Sequence, residues 1–260
     1  MIDSFGKAFR FLLEKPAVFF APFIAWIVGA VVLFFVEERM LLGMLDIVFS
    51  QPPITDFTVA PLQFVLGYPL QVGLLFIVGL FLFGVELWAL FAVVNFLKEK
   101  KSISASVGFA FNRIPQIILL LVFFLIVFLA LGVMLWIGIL IMAFNDIIGI
   151  ICSVVLLLII LYVLLRIAFV PTAMAFEKLN LKEGIKKAAS FSNKRLLSII
   201  VFFAILSVIN VIIGYSSLYL YANYLLSRDF AAIALSAIAT IILASFNFSA
   251  MGSYYAKASK

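Results

Sequence analysis

Residues 117–143 read IILLLVFFLIVFLALGVMLWIGILIMA, without a single charged, amide or hydroxyl side chain. At 1.5 Å per residue, about twenty apolar residues in a helix cross a hydrocarbon layer of roughly 30 Å. Working outward from this stretch, five more of the same kind appear. The six spans read as 17–36, 67–97, 117–143, 148–176, 197–221 and 231–256. Helices are expected, because lipid offers no partner for an open backbone N–H or C=O and barrel strands would be shorter and alternating. Composition agrees: 67% hydrophobic and 12% charged residues leave too few polar side chains to coat a soluble core. The fold class expected is an all-α integral membrane protein of six transmembrane helices, with 1–260 as a single membrane domain.

Charge is distributed unevenly between the connecting segments. One side carries Lys7, Arg10 and Lys15, then Lys98, Lys100, Lys101 and Arg113, then Lys178, Lys182, Lys186, Lys187, Lys194 and Arg195, and finally Lys257 and Lys260. The other side has only Arg39 and Arg228, with Glu37, Glu38, Asp46, Asp56, Asp146 and Asp229. The excess of lysine and arginine places the first side in the cytoplasm, with both termini. A multi-pass protein of the cell membrane is expected. The net charge of +6 follows from this topology. It points to anionic headgroups rather than nucleic acid, since the cations are split among four juxtamembrane sites. No small-x-small site follows the first apolar run before Glu37, so that run is expected to stay as a span. Cys152 is the sole cysteine, so no intrachain disulfide forms, and histidine is absent.

The basic segments resemble one another. Each is a short stretch with helical apolar spacing that runs into a span: Phe5, Ala8, Phe9 and Leu12; Val107, Ala110, Phe111 and Ile114; Leu181, Ile185, Ala188 and Ala189. Asp3 or Ser4, Ser102 or Ser104, and Asn180 can cap their starts, and Glu183 completes a capping box with Asn180. Such helices are expected to lie flat at the inner surface, apolar side down. Pro16 and Pro115 suit a bend or the first turn of the next span. The chain then divides into three repeats of a surface helix plus two spans, 1–97, 98–176 and 177–260. The loop 37–66, with Pro52, Pro53 and Pro61, predicts a short interfacial helix and an extended stretch.

Two ionisable residues fall inside spans. Glu86 precedes Lys98 by twelve residues and Arg166 precedes Lys178 by twelve, which puts both about 18 Å from those lysines. A lone charge at that depth costs several kcal/mol, so an ion pair between them is the simplest expectation, serving as a packing lock or as a transport site. Gln71, Asn95, Asn210 and Asn247 are expected to hydrogen-bond between helices. The last span has small and polar residues at close spacing, Ala232, Ser236, Thr240, Ala244, Ser245, Asn247, Ser249 and Ser253, which allow near approach of a neighbour. Lys7, Arg10, Lys182, Lys186, Lys187, Lys194 and Arg195 are the candidate headgroup-binding residues. Without histidine, and with one cysteine inside a span, zinc sites and Ser-His or Cys-His nucleophiles are excluded. No phosphate-binding glycine loop is present. No catalytic residue, metal site or cofactor is expected.

Val170-Pro171-Thr172-Ala173-Met174-Ala175-Phe176-Glu177 leads into Leu181, Gly184, Lys187, Ser190, Phe191 and Leu196-Leu197. This segment resembles the membrane domain attached to some glycerophosphodiester phosphodiesterases and the free-standing prokaryotic six-span proteins related to it. The opening, with Phe5, Phe9 and Pro16, is similar to their N-termini. The resemblance implies a membrane module with no catalytic residues of its own, and this chain lacks the phosphodiesterase domain of the fused enzymes. The function expected is a non-enzymatic membrane scaffold or accessory subunit. It would contact anionic lipids or a protein partner in the membrane or cytoplasm. The alternative is a small transporter or channel using Glu86 and Arg166.

Overall fold

A computed structural model of the chain describes residues 2–32, 69–99, 102–144, 146–227 and 230–258. Among the described residues every regular element is a helix. α1 (Ile2–Glu14) turns through 97° into α2 (Pro16–Val32). Pro16 opens α2 in a 3₁₀ turn, where its missing N–H takes nothing from the ladder. α3 (Pro69–Glu99), α4 (Ile103–Asn112), α5 (Ile114–Phe144) and α6 (Asp146–Ile167) follow. α7 (Val170–Glu177), α8 (Leu181–Ser227) and α9 (Phe230–Ala258) complete the described chain.

Among the described residues, five stretches are long and apolar enough to cross a membrane: Phe76–Glu99, Ile114–Gly138, Ile148–Glu177, Leu181–Ser216 and Ala234–Ala258. The bent pair α1 and α2 makes a sixth if it is one span. Apolar side chains such as Ile118, Val122 and Ile126 on α5, and Ile151, Val154 and Leu158 on α6, stand exposed around the bundle. In water that surface would cost about 25 cal/mol per Å²; lipid removes the cost. The protein is therefore a multi-pass membrane protein. The expected spans 67–97, 117–143, 148–176, 197–221 and 231–256 fall on α3, α5, α6 with α7, α8 and α9. The span 17–36 falls on α2 as far as Val32; its remainder and the loop 37–66 lie outside the described residues.

The core sits at the basic end of the bundle. Every side chain from Leu87 to Val94 on α3 is buried, the all-round burial of a helix encased by others. α7 is buried from Val170 to Ala175. Phe169 centres an aromatic cluster, with its ring centroid 5.1 Å from Phe191 and 5.6 Å from Tyr254. Tyr254 stacks on Phe202 at 4.4 Å, and Phe5 of α1 stacks on Phe202 at 5.1 Å.

The segments expected to lie flat with an apolar face on the membrane instead place much of that face against protein. On α1, Ala8 and Leu12 are buried while Phe9 and Leu13 face outward. On α4, Ser106 and Ala110 are buried. The third segment, 181–194, folds back along α7 and the end of α6. Gly184 lies against Met174 and Val170, Phe191 against Phe169, and Ser192 Oγ donates to Leu165 O at 3.3 Å. These pairings run in opposite directions along the chain, so the two helices are antiparallel. Arg195 (φ −139°, ψ 25°) then breaks α8 and releases it into its long apolar part. The bundle's own aromatic core competes with lipid for the apolar stripes and takes the larger share of them.

Candidate functional site

The basic end is the part of the molecule where polar chemistry collects. Its cations divide into two groups, and local structure decides which. The first group is engaged by acceptors of the protein itself. α7 ends at Lys178, whose backbone is left-handed at φ 59°, and its last carbonyls need partners. Lys98 Nζ donates to Phe176 O at 2.5 Å, and Arg113 Nη2 donates to Lys178 O at 2.9 Å. Arg113 Nη1 reaches Leu179 O at 3.5 Å. Cations at a helix C-terminus also meet the negative end of its dipole. Lys178 Nζ in turn pairs with Glu99 at 2.9 Å.

A second set gathers on Glu177. Its Oε1 accepts from Tyr255 Oη at 2.7 Å, and its Oε2 lies 3.2 Å from Lys187 Nζ. Tyr255 is fully buried, so this hydrogen bond ties α9 to the end of α7. Lys187, expected on headgroups, thus has a carboxylate of its own chain. Asp3 and Lys257 meet at 2.6 Å and join the two ends of the chain. The Lys257 ammonium holds the Asp3 carboxyl below the usual carboxylate range, first through the hydrogen bond and then through its charge. Two of the three expected caps are present; α1 already begins at Ile2, so Asp3 and Ser4 lie inside its first turn instead of capping it. Ser102 Oγ accepts from Ala105 N at 3.3 Å, and Asn180 Oδ1 accepts from Glu183 N at 2.9 Å, with Glu183 Oε2 reaching back to Asn180 N at 3.5 Å.

Exposure does not separate the groups, since Lys98, Lys178, Lys187 and Lys257 are exposed too; the remaining exposed cations include Lys7, Arg10, Lys182, Lys186, Lys194 and Arg195. Arg10 approaches Glu14 at only 4.0 Å, a surface i,i+4 contact worth about 0.3–0.5 kcal/mol. Beside these cations stand outward apolar side chains, Phe9 at 58%, Leu13 at 70% and Leu197 at 76% exposure. Exposed cations next to exposed apolar residues suit a boundary where acyl chains meet headgroups.

Among the described residues no ion pair joins Glu86 to Arg166. Arg166 lies in the last turn of α6, and its Nη2 donates to Asn193 Oδ1 on the antiparallel segment of α8. Its guanidinium also sits 4.9 Å over the ring of Tyr162. Glu86 is exposed on α3. The equal depths inferred from spacing did not include the return of 181–194 along α7, which brings an amide to Arg166 first. Asn193 is the partner that sequence reasoning missed. Its one signal is the Asn-basic pair Asn193-Lys194, which repeats Asn112-Arg113.

The polar residues of the last span are divided in their roles. Asn247 Nδ2 donates to Asn210 Oδ1 at 2.7 Å, a bond between α9 and α8. Asn95 Nδ2 likewise donates to Ser106 Oγ at 3.3 Å between α3 and α4. Ser236 and Ser249 are buried, while Thr240 and Ser245 donate within α9 to Ser236 O and Ile241 O. The side chain of Gln71 lies outside the described residues. No protein-family model matches the chain, and no curated protein or solved structure matches it either.

Proposed function

We propose that the chain is a membrane-embedded scaffold or accessory subunit without catalytic residues, whose basic end holds anionic lipid headgroups. The observation that carries this is the division of the cations. Lys98, Arg113, Lys178, Lys187 and Lys257 have acceptors within the protein. Lys7, Arg10, Lys182, Lys186, Lys194 and Arg195 stand exposed, the first two near Phe9 and Leu13 and the last two near Leu197, and each cation near an anionic surface is worth about 1 kcal/mol.

The chain crosses the cell membrane six times, with both termini cytoplasmic. The Asp3–Lys257 contact supports an even count, because a chain that starts and ends on one face crosses an even number of times. α2 is then the sixth span. The excess of lysine and arginine supports the cytoplasmic side. The three units 1–97, 98–176 and 177–260 are repeats. In their favour, α1, α4 and the segment 181–194 each lead directly into an apolar helix. The resemblance of 170–197 to the membrane domain of glycerophosphodiester phosphodiesterases fits a module without its own reaction. Glu177, Gly184 and Lys187, which carry that resemblance, are engaged in packing and ion pairing.

The test is lipid retention by the full chain, measured by native mass spectrometry with phosphatidylglycerol and phosphatidylcholine. Replacing Lys182, Lys186, Lys194 and Arg195 by glutamine should weaken phosphatidylglycerol retention by roughly tenfold or more, less so at high salt, and leave phosphatidylcholine unchanged. Equal retention of phosphatidylglycerol would reject the proposal.

A further inference from the structure

We propose that the exposed face of α3 around Glu86 is where a second copy of this chain docks within the membrane. Glu86 lies twelve residues before Lys98, about 18 Å along the helix from the basic end. Its neighbours on α3 fix its surroundings. Leu82 approaches Gly29 of α2, with 3.7 Å from Leu82 Cδ2 to a Cβ built there. Phe83 meets Phe124 of α5 edge-on at 5.6 Å. Glu86 therefore opens between α2 and α5, at the level where Phe23, Ile27, Ile118 and Leu119 stand exposed. The surroundings there are hydrocarbon, and among the described residues Glu86 has no ion pair and no hydrogen bond.

A carboxyl in hydrocarbon requires a partner. Acyl chains supply none, and Arg166 is bonded to Asn193. The acid form of a carboxyl both donates and accepts a hydrogen bond, so it is its own complement. A two-fold axis brings a residue against its own copy, and Glu86 facing Glu86 satisfies both groups. Gly79 lies seven residues earlier, two turns along on the same face. It is exposed, and a Cβ there would meet nothing within 4 Å. A small residue at that spacing lets two backbones approach closely enough for the carboxyls to meet.

The experiment is energy transfer between copies of the full chain carrying a terminal fluorophore, in phosphatidylcholine–phosphatidylglycerol vesicles at falling protein-to-lipid ratio. The wild type should show saturable transfer fitting a dimer. Glu86→Leu should raise the dissociation constant roughly tenfold or more, while Glu86→Gln, whose amide also donates and accepts, should keep association. Gly79→Leu should weaken association without changing thermal unfolding, since the protein leaves space at that position. No transfer above random in the wild type overturns the proposal. So does association that Glu86→Leu and Gly79→Leu leave unaltered, or that Glu86→Gln abolishes.

Discussion

Gly184 has no room for a side chain: a Cβ there would overlap Met174 Cγ, and Met174 is fully buried. Alanine would raise local helix propensity by up to about 1 kcal/mol, while overpacking costs about 1–3 kcal/mol. Gly184→Ala should therefore destabilise by about 1 kcal/mol, seen as a lower unfolding midpoint in detergent. In a Met174→Ala background, which has no γ carbon, Gly184→Ala should cost less, because the clash is with that side chain. Tyr255 makes a related point through chemistry. Its hydroxyl is buried against a carboxylate, a bond worth about 1.5–3 kcal/mol. Tyr255→Phe should cost about 1–2 kcal/mol by the same measurement. Lys187→Gln should lower stability slightly through the loss of its half-exposed pair with Glu177, whereas Lys186→Gln should not.

At the scale of elements, α7 is the piece on which the basic end is assembled. Eight residues are too few to be stable alone, so its neighbours must hold it. Arg113 supplies two of its C-terminal bonds, and Arg113→Ala should cost about 1–2 kcal/mol. Arg113→Lys should restore only part, because one ammonium cannot reproduce the guanidinium fork; unfolding midpoints of the three forms give the comparison. The helix starts at Ser102 and Asn180 were legible in the sequence, because a cap is a local device whose parts lie three residues apart. The apolar helices were legible because length and hydropathy alone identify them. The destination of the segment 181–194 was not. An apolar stripe shows that a face will be covered and leaves open whether lipid or protein covers it. The partner of Arg166 was hidden for the same reason, since Asn193 arrives only once that segment has folded back. Nor does periodicity mark the aromatic cluster, whose members come from α1, α8 and α9 as well as from Phe169.

For the whole molecule, the contact between Asp3 and Lys257 closes the chain upon itself. Lys257 lowers the pKa of Asp3 in the folded protein. The contact therefore contributes fully above the ordinary carboxylate range and is lost as pH falls through the lowered folded value. The unfolding midpoint in detergent should fall slightly as pH drops below the ordinary carboxylate range, while α1 stays docked through Phe5, Ala8 and Leu12. Asp3→Asn should remove that pH dependence. The proposed headgroup contacts and the proposed even number of crossings both depend on where the two ends lie. The most direct test places a protease site at each terminus of the full chain and exposes right-side-out and inverted membrane vesicles to protease. Cleavage of both sites in inverted vesicles, and of neither in right-side-out vesicles, is the predicted result. Cleavage of the two termini from opposite sides would contradict the account.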